Sequence, residues 1–378
     1  MTVTTLTAAG ATVLYFGTSN SQTKTYSTPT FKTPTVQTVS QEQTTNTSSN
    51  STLKTSTKKT STDSYHIALD EISTMLNGQQ PLSFKRAVFL SENVYYKGQL
   101  DWTEFTNEIA RIKNVVNKMI ADKKLQSFKT AGNWAVFSYM MDSIPENNFQ
   151  PYRYDFDNFM GDKDYQSFMV SYLLKNKKGN CHSLPYLYKI LANEVNVEAF
   201  IATAPMHCFI KHKDEKGQWW NLELTSGTFS RTSFIMESFN VSDAGMESGL
   251  YMKPLSDKES VALCLSDLLD YYEKQTKIYY GESVRKAYTT GLKVYPNSLL
   301  QLVKRDEIKY RLDKAMEAKG LNNYNKIKPY PDLVKLKKQL DETMNYIQKI
   351  GYSKLTAEQY REKVNEIKNG QQVQAKNK

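Results

Sequence analysis

Three observations in this 378-residue sequence predict an α+β fold, in which a cysteine-bearing helix packs on a small antiparallel sheet between N-terminal and C-terminal helical regions. Apolar residues recur at spacings of three and four over residues 64–149 and again over 256–378, as helices burying one stripe require. Between these regions, two strand-like segments flank the polar turn Asp214-Glu-Lys-Gly217, the signal of a hairpin. Cys181 stands at the start of an apolar helical run, just after Gly179 and Asn180.

Composition bounds what the chain can be. With 39% hydrophobic residues it can bury a sizeable core, and no apolar run approaches the ~20 residues that cross a bilayer, so no spanning helix is expected. The net charge of +10 suits acidic partners such as an anionic envelope polymer. It gathers into no specific nucleic-acid motif. From Lys274 onward basic residues outnumber acidic ones roughly two to one, spread as solvated helix faces usually are. Three cysteines, Cys181, Cys208 and Cys264, cannot close a disulfide framework and match no zinc spacing, so at least one thiol stays free in a monomer.

Residues 1–18 contain a short apolar segment, Leu6 to Gly17, that resembles the core of an export signal but lacks the basic residues that should precede it. Residues 19–63 are rich in Ser, Thr, Gln and Asn, cannot bury enough surface to offset their ordering entropy, and are expected to be a disordered tether. Together they favour export to a periplasm or cell surface over cytoplasmic residence.

The helical layer follows. Ile67, Leu69, Ile72, Met75 and Leu76 form one stripe; Phe84, Val88, Phe89 and Val94 a second; and Trp102, Phe105, Ile109, Ile112, Val116 and Met119 a third. Asp101 is the expected N-cap of that third helix, and another helix is expected around Trp134 to Met141. Residues 150–255 are expected to form the core: a helix from Tyr165 to Leu174 stopped by Gly179, a helix from Cys181 or Ser183, a strand from Val195 to Ala204, and strands over 206–212 and 219–225.

The chemistry sits in that core. A thiol attacks as thiolate, and a helix start stabilises the anion while a neighbouring imidazolium stabilises it further. A hairpin centred on Glu215 sets residues whose numbers sum to 430 opposite one another, pairing His207 with Glu223. A one-residue bulge would turn one of them to the other face. Cys181 is then the nucleophile, His207 the general base and later the acid, and Glu223 the residue that orients the imidazole. The Cys181 N–H is the first candidate oxyanion donor and the Asn180 side chain a candidate second.

Gly-Asn-Cys181 with its apolar helix, the Pro-Met-His207 strand, and Trp220-Asn-Leu-Glu223-Leu-Thr225 resemble the transglutaminase-like superfamily. The wording GNCHSLPYLYKILANEV is similar to a bacterial branch often joined to tetratricopeptide-type helices. The resemblance covers about residues 150 to 230 and implies a papain-like core and acyl transfer from amides through a thioester. Its members include crosslinking enzymes, peptidases, amidases and inactive scaffolds, so hydrolysis and transamidation both stay open. Glu223 replaces the commoner Asp, and His182 follows the nucleophile where a small or bulky apolar residue is usual.

Other readings compete. Cys181-His182 and His207-Cys208 suggest metal ligation, but adjacent strand residues point to opposite faces; no metal or cofactor is expected. Cys208 and Cys264 read as core residues, His212 as a hairpin-end polar residue and His66 as a surface residue. At least one of Trp219 and Trp220 is expected in the core, the alternative being a substrate groove. Val284, Tyr288, Gly291 and Pro296 have the spacing of the second half of a tetratricopeptide unit, read as one degenerate helical pair docked on the core. Lys326 to Tyr346 and Thr356 to Ile367 give basic amphipathic helices, after which residues 369–378 are expected to fray. The leading expectation is a thiol-dependent peptidase, amidase or transglutaminase-like enzyme acting on a protein or peptide substrate. Its alternative is a noncatalytic scaffold binding partners through the basic helices.

Overall fold

A computed structural model describes residues 61–376. The signal-like segment and nearly all of the tether fall outside them; the tether ends earlier than expected, because helix α1 begins at Ser61. The N-terminal layer comprises α1 (Ser61–Leu76), α2 (Phe84–Tyr95), α3 (Trp102–Asp122) and α4 (Ala131–Met141). Asp101 caps α3 as expected, its Oδ1 accepting from the N–H groups of Thr103 and Glu104 at 2.7 and 3.0 Å.

The central part contains β1 (Arg153–Tyr154), α5 (Val170–Asn176), β2 (Lys178–Gly179), α6 (Ser183–Glu194), β3 (Phe200–Ala204), β4 (His207–Lys213), β5 (Trp219–Glu223) and β6 (Thr228–Ser230). It closes with α7 (Thr232–Ser238) and α8 (Asp243–Glu247). Strands β3 to β6 form an antiparallel sheet in sequence order, and β1 pairs parallel with β2. The remainder is α9 (Asp257–Thr276), α10 (Glu282–Leu292), α11 (Ser298–Glu317), α12 (Pro331–Lys349) and α13 (Ala357–Lys376). The fold is therefore α+β, as the sequence predicts. No helix among the described residues is long and apolar enough to cross a membrane.

One hydrophobic core runs from Tyr65 on α1 to Val364 on α13. Helix α9 joins the N-terminal layer to the C-terminal helices: it packs on α1 and α2, and Ser91 Oγ of α2 donates to the Cys264 carbonyl of α9 at 2.9 Å. Successive helices α9 to α12 pack each on the next. At Gly291 a Cβ would lie 2.4 Å from Leu300 Cδ1, so any side chain there would displace the Leu300 methyl that packs α11 on α10. A second small core of Ile308, Leu312, Met316, Ile327, Leu333 and Leu340 lies between α11 and α12.

Several boundaries differ from those expected, each for a tertiary reason. The Tyr165–Leu174 helix breaks into a 3-10 turn, Gln166–Phe168, and α5, because Glu92 of α2 accepts from the N–H groups of Val170 and Ser171 at 2.6 and 2.9 Å and starts the helix there. Helix α5 ends at Lys177 with φ of 57°, rather than at Gly179. Gly179 serves a different need: a Cβ there would come 2.2 Å from Ser183 Oγ, which donates to the Ser167 carbonyl at 2.6 Å. The strand expected from Val195 begins only at Phe200, since α6 continues to Glu194 and the chain reverses through Asn196 at φ of 54°. Helix α12 starts at Pro331, a favoured first helical residue, after a separate 3-10 turn, Tyr324–Lys326. The backbone stays helical to Lys376 where fraying was expected.

Candidate active site

The nucleophile candidate is placed by a turn built from its neighbours. Asn180 N–H donates to the Ser167 carbonyl, 3.1 Å away, and Leu184 N–H already donates back to the Asn180 carbonyl at 3.2 Å. The Asn180 side chain caps this end of α6: its Oδ1 accepts from His182 N–H at 2.9 Å and Ser183 N–H at 3.3 Å. Its Nδ2 donates to the Phe159 carbonyl, at 3.1 Å. Asn180 is fully buried, and its Oδ1 and one N–H of Nδ2 are committed to the turn, so it serves there as a capping residue. Cys181 therefore sits two residues ahead of α6, at the positive end of the helix.

His207 is delivered by a tight hairpin. Ala204 pairs with His207, leaving Pro205 and Met206 as the turn, and Met206 takes a left-handed φ of 57°. A non-glycine residue held there costs about 1–3 kcal/mol, a strain maintained by the surrounding packing. The Met206 carbonyl lies 3.7 Å from Cys181 Sγ, so this turn holds the start of β4 against the thiol.

Glu223 meets His207 through a register different from the one expected. Strand β4 pairs with β5 as Ile210↔Leu222 and Lys213↔Trp219, not about a centre at Glu215. The loop takes in Gln218, whose N–H donates to Asp214 Oδ1 at 2.8 Å while its carbonyl accepts from Asp214 N–H at 2.9 Å. The slip is two residues, so the face is preserved, and continuing the pairing sets Glu223 opposite Phe209, diagonal to His207. Diagonal positions lie about 7–8 Å apart, a gap that the extra methylene of glutamate helps to span. Glu223 Oε2 indeed lies 2.5 Å from His207 Nε2, and Oε1 accepts from Thr225 N–H at 3.0 Å and Thr225 Oγ1 at 2.7 Å. The Trp-x-x-Glu-x-Thr pattern thus supplies the carboxylate together with the group that fixes its rotamer.

The three side chains converge. With Nε2 on Glu223, the buried His207 Nδ1 forms no hydrogen bond of normal geometry and is the ring nitrogen left for the thiol. Phe239, just after α7, stacks on the imidazole with centroids 4.0 Å apart and planes 8° from parallel, which fixes the ring plane. Burial lowers the affinity of His207 for a proton, but the Glu223 charge and the interaction with Cys181 overcome it and raise its pKa to about 10. Burial pushes the Cys181 thiol up; His207, through hydrogen bonding and charge, with the Tyr360 hydroxyl and the His182 charge behind it, brings it below its ordinary value. For Glu223, too, the nearby imidazolium outweighs burial and keeps the carboxyl low. The arrangement favours a thiolate–imidazolium pair backed by a carboxylate.

Two tyrosines at the thiol escaped the sequence reading. Tyr360 of α13 donates from Oη to Cys181 Sγ at 2.9 Å, and its ring lies 5.9 Å from Phe159 and 6.3 Å from Phe239. Tyr154 of β1 interacts with both Cys181 and Tyr360, and its own buried hydroxyl forms no hydrogen bond of normal geometry. Neither belongs to a local motif. Tyr154 arrives through the β1–β2 pairing, in which Tyr154 lies beside Gly179, and Tyr360 comes from 179 residues downstream.

His182, the unusual residue after the nucleophile, turns away from the triad. Its Nδ1 lies 2.8 Å from the Phe168 carbonyl and its Nε2 3.0 Å from Asp267 Oδ1, while Tyr186 Oη donates to Asp267 Oδ2 at 2.9 Å. A carbonyl and a carboxylate only accept, so satisfying both requires two ring protons: His182 is an imidazolium. Burial opposes this charge, but Asp267 and the Phe168 carbonyl raise its pKa to about 9; Glu92 of α2 and Asp270 of α9 are the other acids within its field. The pairing contributes stability that is complete below the ordinary histidine pKa of 6.5 and lost as pH rises through about 9. Asp267→Asn is expected to cost about 3–5 kcal/mol at pH 6, as loss of one partner of a buried pair does, and less at pH 10. Urea unfolding at the two pH values measures the difference.

The remaining candidates lie elsewhere. Trp219 and Trp220 are 44% and 45% exposed, so neither is in the core: Trp219 packs edge-on against Phe200, and Trp220 against Phe229. His212 lies near the hairpin end, as expected, and is buried beside Phe229. Cys264 is buried, Cys208 partly so, and no metal-holding group of three His, Cys, Asp or Glu side chains occurs among the described residues. Comparison with known proteins finds no match: no family model, no curated protein and no solved structure corresponds to this chain.

Proposed function

We propose that the protein is a thiol-dependent acyl-transfer enzyme with a transglutaminase-like site, acting on peptide or side-chain amides. The observation that carries this reading is the convergence of Cys181, His207 and Glu223, with His207 oriented so that Nε2 meets the carboxylate and Nδ1 is left for the thiol. The Cys181 thiolate attacks the amide carbonyl carbon, forming a C–S bond and a tetrahedral oxyanion. As the C–N bond breaks, His207 gives its proton to the departing amine, leaving a thioester. Water or a second amine then attacks the thioester, His207 takes the proton of this nucleophile, and the thiolate is expelled.

The oxyanion needs donors. The Cys181 N–H is one, at the positive end of α6, and the Tyr154 hydroxyl is the other: it is buried near the thiol and forms no hydrogen bond of normal geometry. The experiment is incubation with a 4-nitrophenyl ester followed by peptide mass spectrometry. One acyl group on the Cys181 peptide, removed by hydroxylamine and matched by released nitrophenolate, is the expected result. Acylation elsewhere, or none while Cys181 is readily alkylated, would overturn the reading. Tyr154→Phe is expected to lower kcat for acylation about 10²–10³-fold with little change in the rate of thiol alkylation, which develops no oxyanion.

The burial of Cys181 favours a second reading, a noncatalytic scaffold whose basic C-terminal helices bind an acidic partner. That reading expects no acyl adduct under any opening of the site. The signal-like segment and polar tether support a place at the cell envelope for either.

A further inference from the structure

Over its described side chains, helix α13 packs on the rest of the protein through a narrow face. From Ala357 to Asn369 only Tyr360 and Val364 are buried, on one face, and the other side chains are exposed or partly exposed. Those two lie one turn apart. Tyr360 inserts between Phe159 and Phe239 to reach the thiol, and Val364 belongs to the same core. At the surface, α13 adds the exposed ion pair between Arg361 and Asp162, at 2.9 Å, and Lys368 over the Phe156 ring, at 5.6 Å. Exposed pairs of that kind contribute about 0–1 kcal/mol.

The segment before the helix is held quite differently. The Gly351 carbonyl accepts from Ser242 Oγ at 2.8 Å, the Ile350 carbonyl from Ser248 Oγ at 2.9 Å and the Ser353 carbonyl from Tyr251 Oη at 3.2 Å. Ser353 Oγ donates to the Asn240 carbonyl, 2.9 Å away. Gly351 runs so close to α8 that a Cβ would fall 2.2 Å from the Gly245 nitrogen. A firmly docked anchor over residues 350–353 therefore leads into a helix that rests on two buried side chains.

We propose that α13 is an autoinhibitory strap, closed over the site by Tyr360 and displaced when an acyl donor enters. The inference rests on the acyl-transfer reading for what the strap inhibits, though not for its being a cover. The Tyr360 hydroxyl is hydrogen-bonded to Sγ, the atom that a carbonyl carbon must reach, and interacts with Tyr154, the donor assigned to the oxyanion. Its ring fills a slot between Phe159 and Phe239, so the side chain that replaces it is apolar or aromatic. The anchor at 350–353 keeps the displaced strap tethered for reclosure.

The test compares the full chain with Val364→Asp, which undermines the strap without touching the thiol, and with Tyr360→Ala. Iodoacetamide alkylation of Cys181, followed by peptide mass spectrometry, is expected to be at least 10-fold faster in both variants, with cooperative unfolding retained. Acylation by the nitrophenyl ester is expected to rise in step. Alkylation of the native chain as fast as that of both variants would overturn the strap. So would a Tyr360→Phe variant that alkylates normally but loses turnover, which would make Tyr360 a catalytic residue. Fast alkylation of Val364→Asp with no acyl adduct would keep the strap and reject the acyl-transfer reading.

Discussion

Cys181→Ala is expected to abolish acyl-enzyme formation completely and to reduce turnover of any amide substrate to background. Neither remaining cysteine can stand in, because burial holds the Cys208 and Cys264 thiols well above their ordinary pKa. Of the three, only Cys181 is held below it, and only Cys181 has His207 as a partner. The substitution also removes the acceptor of the Tyr360 hydroxyl, a buried donor, so a stability loss of about 1–3 kcal/mol accompanies it. Urea unfolding separates that modest loss from a collapse of the fold, and mass spectrometry reads the adduct. An acyl adduct that persists in Cys181→Ala would reject Cys181 as the nucleophile.

Glu223→Gln is expected to lower kcat about 10⁴-fold near neutral pH, the loss seen when the acid of a Ser-His-Asp triad is neutralised. After burial, the Glu223 charge is the largest influence on His207, and it is the one that raises the imidazole pKa to about 10. With that charge gone, burial dominates and the imidazole loses its proton more readily. The thiolate then loses its neighbouring cation, and the Cys181 pKa rises. The alkylation rate plotted against pH is therefore expected to move its midpoint upward in Glu223→Gln. A midpoint unmoved from that of the native chain would assign Glu223 to structure alone.

Much of the site was legible locally. Asn180 and Cys181 ahead of an apolar helix, Pro-Met before His207, and Trp-x-x-Glu223-x-Thr225 each encode a piece of short-range geometry: a capped helix start, a two-residue turn, and a carboxylate steadied by the hydroxyl two residues on. The hairpin register was readable only to within its parity. Which residue of the Asp214 loop closes the turn depends on side-chain hydrogen bonds at the tip, including that of Glu215 Oε1 to Thr130 of the N-terminal layer, at 2.7 Å to N–H and 2.6 Å to Oγ1. Parity was enough, because strand side chains alternate with period two and a slip of two residues leaves His207 and Glu223 on one face.

The roles that were not legible belong to side chains whose partners are far away in sequence. Asn180 looks like a free amide beside the nucleophile until Phe159 and the start of α6 take its atoms. His182 looks like a second ligand or base until Asp267, on a helix 85 residues away, holds it as an imidazolium at neutral pH. Tyr154 and Tyr360 carry no motif at all.

By itself, then, the sequence determined the α+β class, the helical stripes, and the order and types of the three residues that meet at the thiol. Periodicity, capping and turn chemistry act over a few residues and are written in adjacent letters. Only the tertiary structure decided that α9 would unite the N-terminal layer and the C-terminal helices in one core, that Glu223 would reach its histidine diagonally, and that α13 would bring Tyr360 to the thiol. Those outcomes depend on which apolar faces find each other and which buried polar atoms find partners, and that is settled by the packing of the whole chain.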